Sequence, residues 1–279
     1  MHVGPFAREL KIACDLALAA GDIAMRHYAG PLQVEYKNGD PGNPVTRADQ
    51  EANALIVAGL AAAFPADGIL AEESTDGPER HGRARLWCVD PIDGTREFVA
   101  RNGQFIVMIG LAIEGEATLG VLYHPPERRL FWGVGAAAWS QVGTAPPQRL
   151  AISAQDELSA ATVAVSRSRP SPAVQQILDG LGVSHCRPIG SVGLKIAALA
   201  TGAVDLYVTA ATQMCEWDAC APEAVLRAAG GTVTDVCGAR LLYNKVDPVT
   251  PRGIVASNGL LHARCLAALR PLAQARGWL

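Results

Sequence analysis

The residue types best suited to chemistry are concentrated in the segment Asp90–Thr95, with the letters DPIDGT. It follows the apolar run 86–89, so the pattern predicts a strand that ends there and delivers two aspartates into a turn. Two carboxylates on so short a link repel each other unless a cation lies between them. Hard oxygen ligands suit Mg²⁺, so the segment predicts a magnesium site. The alternative is an ordinary turn with solvated acids.

The motifs of the sequence argue against several other classes of phosphate-transferring enzyme. An enzyme that forms an aspartyl phosphate needs the pattern Asp-x-Asp-Gly-Thr, whereas Asp90 and Asp93 stand three positions apart. The sequence contains no Cys-x5-Arg motif of a thiol phosphatase and no Gly-x4-Gly-Lys-Ser/Thr phosphate loop. Catalysis through a covalent aspartyl or cysteinyl intermediate is therefore disfavoured.

Three more acidic residues stand at the start or end of predicted elements. Asp49 fits the N3 position of a capping box at the start of a helix over 46–64, a role worth roughly 1 kcal/mol. Glu72 follows a short apolar run and also fits an acidic loop, and Asp218 also fits the N-cap of a helix over 219–229. Each residue alone fits its ordinary role as well as a functional one. Together with the aspartate pair, they provide four acidic points at element ends, which a site for several cations needs.

The elements that must position these acids follow two patterns, with a boundary near residue 150. The first part opens with an amphipathic helix over 9–28 and a loop over 31–45, and then resembles an antiparallel meander. Its strands are expected over 69–71, 86–89, 105–113, 118–123 and 129–134. In the second part, strands near 161–166, 183–187, 204–208, 232–235 and 253–256 alternate with helices near 171–180, 192–201, 218–229 and 259–275.

This order of elements predicts an α/β (α+β) protein with two subdomains. Residues 1–150 would form an N-terminal α+β subdomain that carries most of the metal ligands. Residues 151–279 would form a C-terminal α/β subdomain that closes the site. The alternation of strands and helices in the second part favours a layered arrangement there.

Composition and charge exclude several classes of protein. The 279 residues carry a formal net charge of −3, with 49% hydrophobic and 18% charged residues, so a disordered chain is excluded and the basic excess of a nucleic-acid binder is missing. Charged residues interrupt any signal-peptide core near the N-terminus, and we expect no membrane span. Seven cysteines without a CxxC pair predict reduced thiols in a cytoplasmic protein.

These motifs resemble the inositol monophosphatase superfamily of lithium-sensitive, magnesium-dependent phosphatases, and within it the CysQ-type 3′(2′),5′-bisphosphate nucleotidases. The residues that carry the resemblance are 44–49 (PVTRAD), 72–74 (EES), 90–95 (DPIDGT), Gly190-Ser191, Lys195 and Trp217-Asp218. The resemblance implies a layered αβαβα sandwich, inhibition by lithium and a homodimer.

The resemblance also implies a role for each matched position. The implied metal ligands are Glu72, Asp90, the carbonyl of Ile92, Asp93 and Asp218. They would bind two Mg²⁺ ions, with Asp90 shared between them, and Glu72 with Asp49 would support a third ion through waters. The implied catalytic residues are Asp49, Thr95 and Glu72, of which Asp49 and Thr95 would orient and deprotonate the attacking water.

The implied substrate-binding residues are Asp93, Gly94, Thr95, Ser191, Lys195, Arg167 and Asp218. The backbone amides of Gly94 and Thr95 would face the phosphate. The cations Arg167, Arg169 and Lys195 would meet a second phosphate, since guanidinium and ammonium groups pair with phosphate oxygens. For the two arginines, ordinary solvated surface charge is the alternative.

The run 95–98 (TREF) followed by 102–105 (NGQF) resembles the Thr-Lys-Glu-Phe and Asn-Gly-Glu-Phe pair of the nucleotidases. The expected function is therefore Mg²⁺-dependent hydrolysis of the 3′-phosphate of 3′-phosphoadenosine 5′-phosphate or a related nucleotide. An inositol-1-phosphate or sugar-phosphate phosphatase is the alternative enzyme, and a sensor that binds metal and phosphoester is the non-enzymatic alternative. Arg169 and the residues 219–222 depart from the family pattern, which leaves the base preference open.

Overall fold

The computed structural model describes residues 4–40, 44–167 and 172–279. The helices of these ranges are α1 Ala7–Ala29, α2 Arg47–Ala63, α3 Thr95–Val99, α4 Pro172–Leu181, α5 Val192–Ala200, α6 Glu216–Ala228 and α7 His262–Ala275. The strands of the first half are β1 Val34–Tyr36, β2 Pro44–Thr46, β3 Gly68–Ala71, β4 Arg85–Asp93, β5 Ile106–Ile113, β6 Glu116–His124, β7 Arg129–Val134, β8 Ala137–Val142 and β9 Gln148–Arg149. Those of the second half are β10 Thr162–Ser166, β11 His185–Ile189, β12 Leu206–Thr209, β13 Met214–Cys215, β14 Thr232–Thr234, β15 Val249–Thr250 and β16 Ile254–Ser257.

Two sheets and three helical layers alternate through the molecule. The larger sheet has the order β3-β4-β5-β6-β7-β8-β9, with β3 parallel to β4 and the other neighbours antiparallel. The smaller sheet has the order β11-β10-β12-β16-β14. Helices α1 and α2 pack on one face of the larger sheet, α5 and α6 lie between the sheets, and α4 and α7 cover the outer face of the smaller sheet. This is the predicted αβαβα sandwich.

The local sequence explains how the first two helices form. Helix α1 buries Leu10, Ala13 and Ala17 at helical spacing, so one face packs on the sheet while the other meets solvent. Helix α2 begins with the predicted capping box, in which Thr46 and Asp49 satisfy each other's backbone groups.

Two local expectations were wrong. The segment 31–45, expected as a loop, contains the antiparallel pair β1–β2, because its short strands lie between glycines and prolines that dominate the composition. Helix α6 begins at Glu216, before the predicted start, because Cys215 and Asp218 form its capping box. Pro222 therefore lies inside the helix and not in its first turn.

A row of glycines lets α6 approach the larger sheet closely. Gly110, Gly120 and Gly133 are cross-strand neighbours on β5, β6 and β7. A Cβ on Gly120 would lie 2.2 Å from the carbonyl oxygen of Ala221 in α6, and a Cβ on Gly110 would lie 2.6 Å from its amide nitrogen. Only glycine leaves room for the helix backbone at this distance.

The larger sheet ends at Arg149 and the smaller one begins at Thr162, on either side of the expected boundary near residue 150. The two halves nevertheless share a core, because α6 of the second half packs on the sheet of the first. The division into two subdomains stays a prediction. In the described part of the chain, none of the helices combines the length and apolar character needed to span a membrane.

Candidate active site

A β-bulge in β4 turns Asp90 and Asp93 to the same face of the larger sheet. Side chains three positions apart on a regular strand point to opposite faces. Here Asp90 pairs with Met108 and Asp93 pairs with Ile106, so β4 takes three steps where β5 takes two. The extra residue resets the alternation, and both aspartates face the layer of α5 and α6. The sequence predicted that the strand ends before Asp90, but it continues through the motif to Asp93.

The residues after the bulge start the short helix α3. Gly94 has φ of 96°, and a Cβ there would lie 2.9 Å from the carbonyl oxygen of Gln104, so glycine is required. This turn brings the Thr95 Oγ1 to 3.1 Å from Asp49 Oδ1 and 3.2 Å from the carbonyl oxygen of Ile92. Thr95 therefore links the DPIDGT segment to the start of α2.

Each of the four aspartates has one carboxylate oxygen bonded to a backbone amide. The donors are the amides of Thr46 to Asp49 Oδ2 (2.8 Å), Ile92 to Asp90 Oδ1 (3.0 Å), Gly193 to Asp93 Oδ2 (2.6 Å) and Cys215 to Asp218 Oδ2 (2.7 Å). These bonds fix the orientation of the carboxylates. For Asp49 and Asp218 the capping role and the functional role are compatible, because capping occupies the Oδ2 atom and the side chain has a second oxygen.

Burial and mutual repulsion raise the pKa values of these carboxyl groups. Burial raises the pKa of Asp90 well above its ordinary value, and the charges of Glu72, Asp93 and Asp218 add to the effect. The pKa of Asp218 is raised by burial and by Glu72 and Asp93, and burial raises the pKa of Asp49 to about 7. The fold thus concentrates in one place more negative charge than its surroundings neutralise, which a divalent cation would relieve.

Glu72 approaches this group from the end of β3. Its amide donates to the carbonyl of Val89 at 3.0 Å, which places it next to Asp90. Its Oε1 accepts a hydrogen bond of 2.8 Å from Lys37 Nζ, and Lys37 also binds Glu73 Oε1 at 2.6 Å. Lys37, which directly follows β1, was missed in the sequence because a single lysine in a polar segment forms no pattern.

The donor chemistry fits Mg²⁺. The converging groups are carboxylates and a carbonyl, the hard oxygen ligands that Mg²⁺ prefers. Among the residues that the structure describes, no three His, Cys, Asp or Glu side chains already enclose a common point, and Glu72 is paired with Lys37. The assignment of ligands to individual ions, and their number, therefore stays a prediction.

A cleft of about 410 Å³ opens beside the acids. Of the predicted site residues, its walls include Asp93, Gly94, Thr95, Ser191, Lys195 and Asp218. Asp49 and Asp90 are almost fully buried behind this wall. The cleft thus has an acidic end that brings together residues from β4, α3, α5 and α6.

Lys195 is the buried cation at the acidic end. Its Nζ donates to the carbonyl of Ser191 at 2.6 Å and lies 5.3 Å from the centre of the Tyr207 ring. Burial lowers its pKa to about 8, while the charges of Asp93 and Glu97 oppose that shift. Lys195 therefore sits close enough to the aspartates to compensate part of their charge.

Arg167 lies outside the lining of the cleft, on its rim. Its Nε donates to Gln104 Oε1 at 3.0 Å, and the same oxygen accepts the amide of Gly190 at 2.6 Å. The role of Arg167 in binding substrate stays a prediction. Gln104 was missed in the sequence, although its place in the NGQF run marked it. Arg169, the other predicted arginine, lies outside the described residues.

Comparison with known proteins identifies the family. The model of the inositol monophosphatase family matches residues 7–274. The chain belongs to the inositol monophosphatase family. It is 35% identical over 235 residues to the 3′(2′),5′-bisphosphate nucleotidase CysQ of Salmonella typhimurium, covering 84% of this chain and 93% of that protein. It is 32% identical over 250 residues to inositol monophosphatase 2 of Mus musculus, covering 86% and 83%.

A solved structure supports the same assignment. The crystal structure of CysQ from Bacteroides thetaiotaomicron, a bacterial member of the inositol monophosphatase family, superposes with a TM-score of 0.77 at 30% identity, covering 91% of this chain and 98% of that one. The predicted family and the predicted fold are confirmed. The prediction that the chain is an enzyme of the phosphatase class is confirmed with them.

Proposed function

We propose that this member of the inositol monophosphatase family hydrolyses the 3′-phosphate of 3′-phosphoadenosine 5′-phosphate or a closely related nucleotide. The observation that carries the proposal is the convergence of buried aspartates from β4 and α6 beside a cleft, with Asp49 of α2 bonded to the cleft-lining Thr95. Similarity to the nucleotidase of Salmonella typhimurium, at 35% identity over most of both chains, supports the choice of substrate.

Mg²⁺ is the proposed cofactor, with two or three ions held by Glu72, Asp90, the Ile92 carbonyl, Asp93 and Asp218. When bound, the ions would neutralise the phosphoryl oxygens and stabilise the departing oxygen. The chemistry of the donors supports this cofactor, because all of them are oxygen atoms of the kind that Mg²⁺ prefers.

The residues of the chain supply the positioning and the proton transfers. The amides of Gly94 and Thr95 would orient the phosphate. Thr95 Oγ1 and Asp49 Oδ1, 3.1 Å apart, would take a proton from the attacking water. The water oxygen forms a bond to phosphorus as the bond between phosphorus and O3′ breaks. O3′ takes a proton from a second water, and Asp49 returns the proton of the attacking water to solvent. Ser191 and Lys195 would bind the substrate beside Asp93.

A comparison of two substrates tests the proposal. We expect kcat/KM for 3′-phosphoadenosine 5′-phosphate to exceed that for inositol 1-phosphate by about tenfold or more, equivalent to about 1.4 kcal/mol of additional transition-state stabilisation. A tenfold preference for inositol 1-phosphate would instead support the second candidate, an inositol phosphatase. The 32% identity to inositol monophosphatase 2 of Mus musculus supports that second candidate.

Removal of metal tests the cofactor. We expect a preparation treated with EDTA to lose nearly all activity, because the acidic end of the cleft would then repel a phosphate dianion. Added Mg²⁺ should restore the activity. Phosphate release that continues at the full rate in chelator would contradict the proposal. A protein that binds the phosphoester with Mg²⁺ but releases no phosphate would be the sensor.

We further propose a cytoplasmic homodimer. All seven cysteines are free thiols, which supports a reducing compartment. The edge strand β11 exposes His185, Cys186 and Arg187, and such an edge can accept a second chain. Light scattering of the purified protein should give twice the mass of 29.2 kDa, and a monomeric mass would contradict the dimer.

A further inference from the structure

Arg276 lines the same cleft as Asp93, Lys195 and Asp218. It directly follows α7, which ends there because Gly277, at φ of 66°, cannot continue the helix. Arg276 is exposed, in contrast to the buried Lys195. The cleft therefore has a cation that belongs neither to the acidic end nor to any motif of the sequence.

Two contacts hold the Arg276 side chain in place. Its Nη1 donates to the carbonyl of Ala210 at 3.1 Å, and its guanidinium carbon lies 5.0 Å from the centre of the Trp278 ring. The amide of Trp278 is bonded to the carbonyl of Ala273 at 2.9 Å, and the ring packs against the core formed with α4 and α7. A guanidinium has five N–H groups, more than the bond to Ala210 requires, so it can also bind an anion.

The wall that β12 and the residues after it contribute to the cleft contacts Lys195 at Tyr207 and Arg276 at Ala210. Tyr207, at one end of this wall, contacts Lys195, and burial together with the charges of Asp93 and Asp218 raises the pKa of its hydroxyl. Ala210, which holds Arg276, follows three residues later. Three residues of extended chain span about 10 Å, so the contact that holds Arg276 is separate from the contact between Tyr207 and Lys195.

Apolar side chains form part of the lining of the cleft. Val192, Val208, Ala211 and Met214 contribute to it. A volume of about 410 Å³ lies within the usual range of small-molecule sites. A cleft that combines apolar side chains, the proposed metal site and a separate guanidinium is complementary to a nucleoside that carries two phosphates.

We propose that Arg276 binds the second, non-reacting phosphate of the nucleoside bisphosphate. The contact rests on the proposed function and specifies how that site would recognise its substrate. The carboxylates would repel a phosphate that is not neutralised by metal, so the second phosphate gains from lying beside a cation that is not part of the carboxylate cluster. There the planar guanidinium can donate two parallel hydrogen bonds to its oxygens. A merely structural arginine at the end of α7 would affect stability without affecting the choice of substrate.

Substitution of Arg276 with matched substrates tests the assignment. The substrates are 3′-phosphoadenosine 5′-phosphate and adenosine 3′-phosphate, which differ only in the second phosphate. In Arg276→Gln, we expect the ratio of their kcat/KM values to fall by about tenfold, chiefly through KM for the bisphosphate. In Arg276→Lys this ratio should fall less, because lysine keeps the positive charge but lacks the planar guanidinium that donates two parallel hydrogen bonds. Arg270→Gln, exposed in α7 but outside the cleft lining, should leave the ratio unchanged.

Inhibition by adenosine 5′-phosphate separates this inference from the proposed function. Its inhibition constant, measured with whichever phosphoester the wild type hydrolyses best, should rise about tenfold in Arg276→Gln. If the wild type prefers the bisphosphate and Arg276→Gln changes neither ratio nor inhibition, the inference is wrong and the proposed function stands. If inositol 1-phosphate is preferred but inhibition still depends on Arg276, the proposed function is wrong, and only the contact between Arg276 and a nucleotide 5′-phosphate stands. An equal fall in kcat/KM for both substrates in Arg276→Gln would also overturn the inference.

Discussion

At the scale of single residues, the candidate site consists of acidic side chains that backbone amides orient. The charges of these side chains destabilise one another's ionised form. Asp93 shows both properties, since the amide of Gly193 donates to its Oδ2 at 2.6 Å while burial and the charge of Glu72 raise its pKa. A carboxylate held in this way is ready to bind a cation without rearranging, at a cost in stability when the cation is missing.

Asp93→Asn should therefore separate activity from stability. Asparagine can still accept the amide of Gly193 but brings no charge to a metal. We expect kcat/KM to fall by at least about 100-fold, the scale of losses when support for a bound metal is removed. The melting temperature in EDTA should not fall, because one source of repulsion is removed. Phosphate-release assays and calorimetry measure the two effects.

Asp235→Asn provides the matched control. Asp235 is 8% exposed, as Asp93 is, and its Oδ1 likewise accepts backbone amides, those of Cys237 and Ala239, but it is not among the cleft-lining residues of the described chain. This variant should keep wild-type kinetics. Equal losses of activity in both variants would show that the effect of Asp93→Asn comes from the fold and not from the site.

At the scale of elements, the bulge of β4 and the glycine row under α6 decide the geometry. The bulge brings two aspartates of one strand to one face. The glycines allow α6 to lie on the sheet closely enough for Asp218 to influence the pKa of Asp90. The spacing of α6 above the sheet therefore sets the distance between residues of the candidate site as well as the packing of the core.

Gly120→Ala tests this spacing. The added Cβ would meet the carbonyl oxygen of Ala221 at 2.2 Å, so α6 must move away. We expect a loss of roughly 1–3 kcal/mol in the free energy of unfolding, typical of an overpacked core. Because α6 carries Asp218, kcat/KM should also fall when measured well below the melting temperature.

Gly180→Ala is the control for this substitution. Gly180 lies in α4, and a Cβ added there would meet no other atom within 4 Å, so alanine should stabilise the protein by about 0.5 kcal/mol and leave the kinetics unchanged. If Gly120→Ala has the wild-type free energy of unfolding and the wild-type kcat/KM, the close approach of α6 is not required for stability or activity.

At the scale of the whole molecule, the charge cluster predicts how stability depends on pH. Burial raises the pKa of Asp49 to about 7, and burial with neighbouring charges raises that of Asp90 and Asp218. An unfolded aspartate has a pKa of about 3.9, so between about pH 4 and pH 7 these carboxyl groups bind more protons in the folded protein than in the unfolded chain. Their contribution to the free energy of unfolding must then decrease as the pH rises through this range. Burial lowers the pKa of His262, which acts in the opposite direction, but the three carboxyl groups outweigh one imidazole.

We therefore expect the protein in EDTA to melt at a higher temperature at pH 5 than at pH 7. Lys195, whose pKa is lowered to about 8, stays largely protonated over this window and does not reverse the trend. Mg²⁺ should raise the melting temperature more at pH 7 than at pH 5, because it binds the ionised carboxylates. A melting temperature in EDTA that rises from pH 5 to pH 7 would contradict the proposed charge cluster.

Local sequence predicted much of the fold because the signals were local. The periodicity of Leu10 and Ala17 marked α1, and Thr46 with Asp49 marked the start of α2. The bulge was not predicted, because a proline in DPIDGT indicates a turn as readily as an irregular strand. The glycines of β5, β6 and β7 were a visible sign of a close backbone approach, but only the strand register shows that they form one row.

The sequence by itself determined which oxygen donors the protein has, and the family pattern assigned them their expected roles. Only the tertiary structure decided that Asp218 approaches Asp90 and Asp93, that Gln104 holds Arg167 on the rim, and that Arg276 lines the cleft. The physical reason is that capping and periodicity act between residues a few positions apart. Charge repulsion and ligand binding act across space, and the packing of α6 and α7 against the sheets sets those distances.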